Sequence, residues 1–168
     1  MNEKTKLYDA ILVAISEYHQ PKRILEFGNT DLFLNKSIFP LVSKVVRVTD
    51  EKIKNNDSRL ECVEKAPVIL YDYDLIFVDG PNNLDKKAKT ICYIMRDTIA
   101  PIMIITGYDY RPFRDAINRA YDKYFFKPDV LIAYREKLPR AKFNRLQRRI
   151  DKYLNTVKDV NDWKPLLQ

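Results

Sequence analysis

Glycine is scarce in this chain of 168 residues, with Gly28, Gly80 and Gly107 as its three examples. A Walker-type loop or a three-glycine dinucleotide turn needs several glycines within a few positions, and no stretch here supplies them. Histidine is scarcer still. His19 stands alone beside Gln20-Pro21, where a helix must stop, which argues against a histidine-based zinc site or a catalytic triad. The two cysteines, Cys62 and Cys92, have no metal-like spacing and lie in apolar segments, so both are expected as small core residues. No apolar run reaches the roughly 18 residues that span a bilayer, and an amphipathic segment follows MNEKTK, so the chain is expected in the cytoplasm and not in a membrane.

The composition is that of one globular domain with its own core, at 46% hydrophobic and 32% charged residues. The net charge of +7 is unevenly placed. Between Arg135 and Lys152 eight basic residues face two acidic ones, a net +6, which leaves about +1 for the rest. The body is nearly neutral and its C-terminal arm is basic.

Leu7, Ile11, Ala14, Ile15 and Tyr18 recur at helical spacing up to Pro21. RILEF (23–27) reads as a buried strand, the stretch after GNTD as a short helix perturbed by Pro40, and KVVRVT (44–49) as a second strand. LECV (60–63), DLIFVDG (74–80) and PIMIITG (101–107) are further strands, while APVILYD is ambiguous. Helices are expected over 86–98 and 111–124, the second with Phe113, Ile117, Ala120, Tyr121 and Tyr124 as its stripe. YFFK and DVLIAYRE form a hairpin across Pro128-Asp129, and a long basic helix with Phe143, Leu146, Ile150, Tyr153 and Val157 on one side closes the chain. Alternating strands and helices predict an α/β fold, a mostly parallel sheet with helices on both faces and an antiparallel hairpin at one end.

Each glycine directly follows an apolar strand. In a parallel sheet the C-terminal strand ends share one edge, the edge where open α/β sheets bind ligands. Carboxylates gather there too: Glu26, Asp50, Glu64, Asp79 and Asp109 end or follow successive strands. They suit ribose hydroxyls, an amino group or a cationic ligand better than an anionic dinucleotide. The plain alternative is that glycines and acids merely terminate strands.

RILEFGNTDLFLNKS, KVVRVTDEK and YDLIFVDGPNN together resemble the class I S-adenosylmethionine-dependent methyltransferases, in the branch with an LE[FY]G…ST first motif and a VDG fourth motif. The resemblance covers about residues 22–135. It implies a Rossmann-like three-layer sandwich with strand order 3-2-1-4-5-7-6, a methyltransferase-like domain over 1–138 with an N-terminal helix over 1–20, and a basic helical arm over 139–168.

By position, Glu26 and Gly28 belong to the first motif, Asn29 and Thr30 form the turn against the methionine part of the cofactor, Asp50 stands near the ribose and Glu64 near the adenine. Asp79 and Gly80 lie beside the transferable methyl group. The first motif is short of glycine, and the family's acidic residue after the second strand aligns with Thr49, one place before Asp50.

Methyl transfer from a sulfonium is an in-line displacement, dominated by positioning of the acceptor. Asp79 is the first choice for a catalytic carboxylate, followed by Asp109 with Tyr108 and Tyr110 beside it. Asp79, Asn82 and Asp109 are the residues that some family members' divalent-cation site would use, and their spacing does not mark one. The acceptor is a small molecule or a macromolecule. Arg140, Lys142, Arg145, Arg148, Arg149 and Lys152 suit nucleic-acid phosphates, and a solvated helix or a homodimer contact suits them equally; their directions on the helix are expected to be several. Two functions follow: a methyltransferase, or an inactive methyltransferase-like module that binds nucleic acid or assembles through its arm.

Overall fold

The computed structural model describes residues 3–28, 42–49, 58–68, 72–78, 84–106, 114–127 and 130–156. Its elements run α1 (Glu3–His19), β1 (Arg23–Phe27), β2 (Lys44–Val48), β3 (Leu60–Val63), β4 (Leu75–Val78), α2 (Leu84–Asp97), β5 (Ile102–Thr106), α3 (Arg114–Ala120), β6 (Asp122–Lys127), β7 (Val130–Tyr134) and α4 (Arg140–Thr156). The described residues group into two compact units. One holds the strands with α2 and α3; the other holds α1 and α4.

The seven strands form one sheet in the order β3-β2-β1-β4-β5-β7-β6. The first five are mutually parallel, and β7 is antiparallel to both β5 and β6. This is the expected Rossmann-like sheet with its terminal hairpin. Side chains alternate across it, so Leu25, Phe27, Val46, Ile76, Val78, Met103, Ile105, Leu131 and Ala133 share one face with Ile91 and Ile94 of α2 and Ile117 of α3. Their strand neighbours Ile24, Leu75, Phe77 and Ile104 are buried as well. Burial on both faces is why these strands read as unbroken apolar runs.

Two expectations are corrected. The helix expected to reach Tyr124 ends at Ala120, with Tyr121 N–H still donating to the Ile117 carbonyl at 2.8 Å. From Asp122 the chain pairs with β7, Asp122 opposite Tyr134 and Tyr124 opposite Ile132, so strand pairing overrides the helical stripe. Both cysteines are exposed, not core. Cys62 lies on β3, the edge strand, and Cys92 lies on α2 between the buried Ile91 and Ile94, where helical periodicity turns it outward.

In the helical unit α1 and α4 pack together. Six consecutive α1 residues, Ala10 to Ile15, are buried, so this helix is covered on more than the single stripe expected. Gln20 closes it in the left-handed region at φ 48°, its N–H donating to the Ser16 carbonyl, ahead of Pro21. Glu17 accepts from Arg149 at 2.8 Å, and burial together with a hydrogen bond to Glu17 pushes the Tyr153 phenol up. Burial, aided by the Lys142 charge, depresses His19 to about 4. Among the described residues no helix is long and apolar enough to cross a membrane.

Candidate functional site

The parallel register fixes where a site can lie. Val63, Val48, Phe27, Val78 and Ile105 are Cα partners in one row running across β3, β2, β1, β4 and β5. The next residues along these strands, Glu64, Thr49, Gly28 and Thr106, therefore reach one common edge. It is the carboxyl edge, where β1 and β4 stand at the centre of the sheet and the strand order reverses.

At the middle of this edge Gly28 has φ 135°, a conformation that a Cβ makes costly. Its N–H donates to the Val48 carbonyl in a long bond of 3.4 Å, while Thr49 N–H donates to Val63 at 2.9 Å. β1 is thus followed by a residue whose backbone conformation favours glycine and that carries no side chain. Thr49 and Thr106 are buried, and Glu64 is exposed beyond β3. Asn29, Thr30, Asp50, Asp79, Gly80, Asn82, Gly107, Tyr108, Asp109 and Tyr110 lie outside the described residues. So do residues 32–41 of the helix expected after GNTD, and Val157.

One row deeper, Cys62, Arg47, Glu26, Phe77 and Ile104 are Cα partners. Glu26 and Arg47 are both fully buried. Arg47 Nε donates to Glu26 Oε2 at 2.9 Å, and Nη2 sits 2.9 Å from the same oxygen in a geometry that makes an ion contact, not a hydrogen bond. Among the described residues Nη1 has no hydrogen-bond partner.

Glu26 is thus a buried charge anchored two residues before Gly28. Sequence reasoning misses Arg47, although a signal is there. RILEF and KVVRV each carry a charge at the fourth place of a five-residue apolar strand, and a charge in a buried strand demands a partner.

The basic helix is also placed. Arg140, Lys142, Arg145, Arg148, Arg149 and Lys152 are exposed on α4, while Leu146, Ile150 and Tyr153 are buried. Among the described residues no group of three or more His, Cys, Asp and Glu side chains is arranged to hold a metal ion.

This sheet order, with a positive-φ glycine after β1 and a reversed final hairpin, is the Rossmann-like methyltransferase fold. Human methyltransferase-like protein 13, in complex with SAH, superimposes with a TM-score of 0.50 at 12% identity, over 95% of this chain and 93% of that one. The N-methyltransferase NodS from Bradyrhizobium japonicum WM9, also in complex with SAH, gives a TM-score of 0.51 at 14% identity, over 79% of this chain and 86% of that one. Likeness at such identities is likeness of fold. No protein-family model matches the sequence, and no curated protein matches it.

Proposed function

We propose that the chain is an S-adenosylmethionine-dependent methyltransferase whose cofactor lies along the carboxyl edge of β1, β2, β4 and β5. One observation carries the reading: Gly28, in a backbone conformation that favours glycine, stands at the end of β1 where the two overlapping methyltransferases share this fold. Both were solved with SAH, the demethylated product of the proposed cofactor. Gly28 fits such a ligand, since a Cβ there would occupy the space that a close backbone approach leaves open. The bound cofactor supplies an electrophilic methyl group on sulfur.

The chain supplies position and charge. In this reading Gly28, Asn29 and Thr30 turn against the methionine part, Asp50 accepts from the ribose, Glu64 lies toward the adenine, and Asp79 and Gly80 floor the methyl-transfer site. Glu26 acts from below, its bond to Arg47 fixing the strand end that the turn leaves. Asp79 and Asp109 are the carboxylates proposed to receive a proton where the acceptor is a hydroxyl; a neutral amine acceptor needs only placement.

Calorimetric titration of the full chain with S-adenosylmethionine and with SAH tests this. Saturable heat for both is expected, with at least tenfold weaker binding in Gly28→Val. Absence of both heat and thermal shift at millimolar ligand overturns it.

A further inference from the structure

We propose that the outer face of α4 is a docking surface for the phosphodiester backbone of a nucleic acid, gripped by Lys142, Arg145, Arg148 and Lys152. The proposal rests on the helix alone and stands whether or not the carboxyl edge transfers methyl groups.

Helical geometry collects these residues. With 3.6 residues per turn, Lys142, Arg145, Arg148, Arg149 and Lys152 fall within an arc of about 120°, not over the several directions expected from the sequence. All five are exposed. No acidic residue of α4 falls in the arc; Asp151 lies outside it and accepts from Gln147 at 3.2 Å. Arg149 is committed to Glu17, and among the described residues no carboxylate pairs with the other four. From Lys142 to Lys152 the helix rises about 15 Å, a length that meets four or five phosphates of one strand at about 3.4 Å each along a duplex axis.

The chemistry of the face selects its partner. An amphipathic helix that lies on a membrane needs apolar residues free to enter it, whereas Leu146, Ile150 and Tyr153 are already buried in the protein. Arginine forks match phosphate oxygens in pairs. The arc carries no aromatic residue to stack bases, so binding reads charge and spacing and is indifferent to sequence.

Fluorescence anisotropy of the full chain with a labelled mixed-sequence 20-nucleotide RNA, and with a DNA duplex of equal length, tests the proposal. Four contacts predict a log K against log salt slope of about −3 for the single-stranded RNA and about −4 for the duplex. The triple variant R145Q/R148Q/K152Q is expected to cut the slope to about −1 and to weaken binding on the order of 100-fold at 0.1 M salt. K89Q, at an exposed lysine of α2, is expected to leave the slope unchanged.

Should the triple variant melt early, R148Q alone, with an expected loss of about fivefold, decides the matter. Binding of neither probe at 50 mM salt, or an unchanged slope in the arc variants, overturns the proposal. So does binding of polyglutamate or phosphatidylglycerol vesicles that equals RNA per unit charge.

Discussion

Strand β1 carries one polar fastening at each end, and the two are built on opposite principles. At its start, Asp74 Oδ2 accepts from the backbone N–H groups of Lys22 at 2.8 Å and Arg23 at 2.9 Å, while Asp74 N–H returns a bond to the Arg23 carbonyl. That carboxylate stays partly in water and works with neutral donors. At its end, Glu26 and Arg47 are wholly withdrawn from solvent. A partly wet carboxylate can be lost for the cost of its own bonds; a dry pair is costly to form and far more costly to halve. The strand is therefore fastened by a partly solvated carboxylate at its start and by a buried ion pair near the proposed cofactor site.

Halving the dry pair is the strongest way to break this contrast. Arg47→Met strips the buried Glu26 carboxylate of its guanidinium, with an expected loss of about 3–5 kcal/mol. By the usual scaling for a chain of this size the melting temperature should fall by about 10 °C. Replacing both members, Glu26→Leu with Arg47→Met, is expected to recover most of that loss in urea titration, because no charge remains to be buried. A double variant as unstable as the single one would show that packing, not charge, explains the strand end. Cofactor affinity of the double variant then measures how far rigidity under Gly28 matters for binding.

Asp74→Ala should come next, costing about 2 kcal/mol for two charge-assisted bonds to backbone donors. Asp74→Asn keeps an accepting oxygen and is expected to retain more than half of that stability in the same urea titration. Equal losses for the two variants would mean that the carboxylate charge, not acceptance, fastens the start of β1.

A third case shows what burial beside a like charge does to a titratable group. His19 is depressed to about 4, first by burial and then by Lys142, so it stays neutral where an ordinary histidine would protonate. The unfolded chain takes up a proton near pH 6.5 and the folded one does not until about 4, so stability is full above 6.5 and falls as pH drops through that window. With solvent screening the loss is expected to be about 1–2 kcal/mol. Melting curves at pH 7.5, 6 and 4.5 should show it, and His19→Gln should flatten it. An unchanged pH profile in that variant would assign the acid sensitivity to carboxylates instead.

The same contrasts separate what the order of amino acids reveals by itself from what only the folded chain reveals. Strands bounded by charge and glycine, such as RILEF and LIFV, are plain in the sequence because burial on both faces leaves continuous apolar runs. Local patterns do not report neighbours, however. Cys62 sits in an apolar tetrapeptide yet is exposed because β3 is an edge strand, and Tyr124 fits a helical stripe yet pairs across the hairpin with Ile132. At the candidate site Gly28 is legible from its place after β1. The charge of Arg47 in an apolar strand is a signal, but its pairing is not legible, because Glu26 is 21 residues away and only the sheet register brings them together.

The smallest effect is expected from the ion pair that resembles Arg47–Glu26 most closely in sequence. Lys44 pairs with Glu61 on the neighbouring strand, three residues before Arg47 on the same β2, but the side chains are 44% and 51% exposed. Water already solvates both ends, and salt screens what attraction is left, so a double-mutant cycle of Lys44→Ala and Glu61→Ala should give a coupling below about 0.5 kcal/mol. Raising salt to 1 M should erase it, since the Debye length then shrinks to about 3 Å. A coupling that matched the Glu26–Arg47 pair, or that survived high salt, would mean that distance alone governs these pairs. The two ends of β1 would then differ for some reason other than access to water.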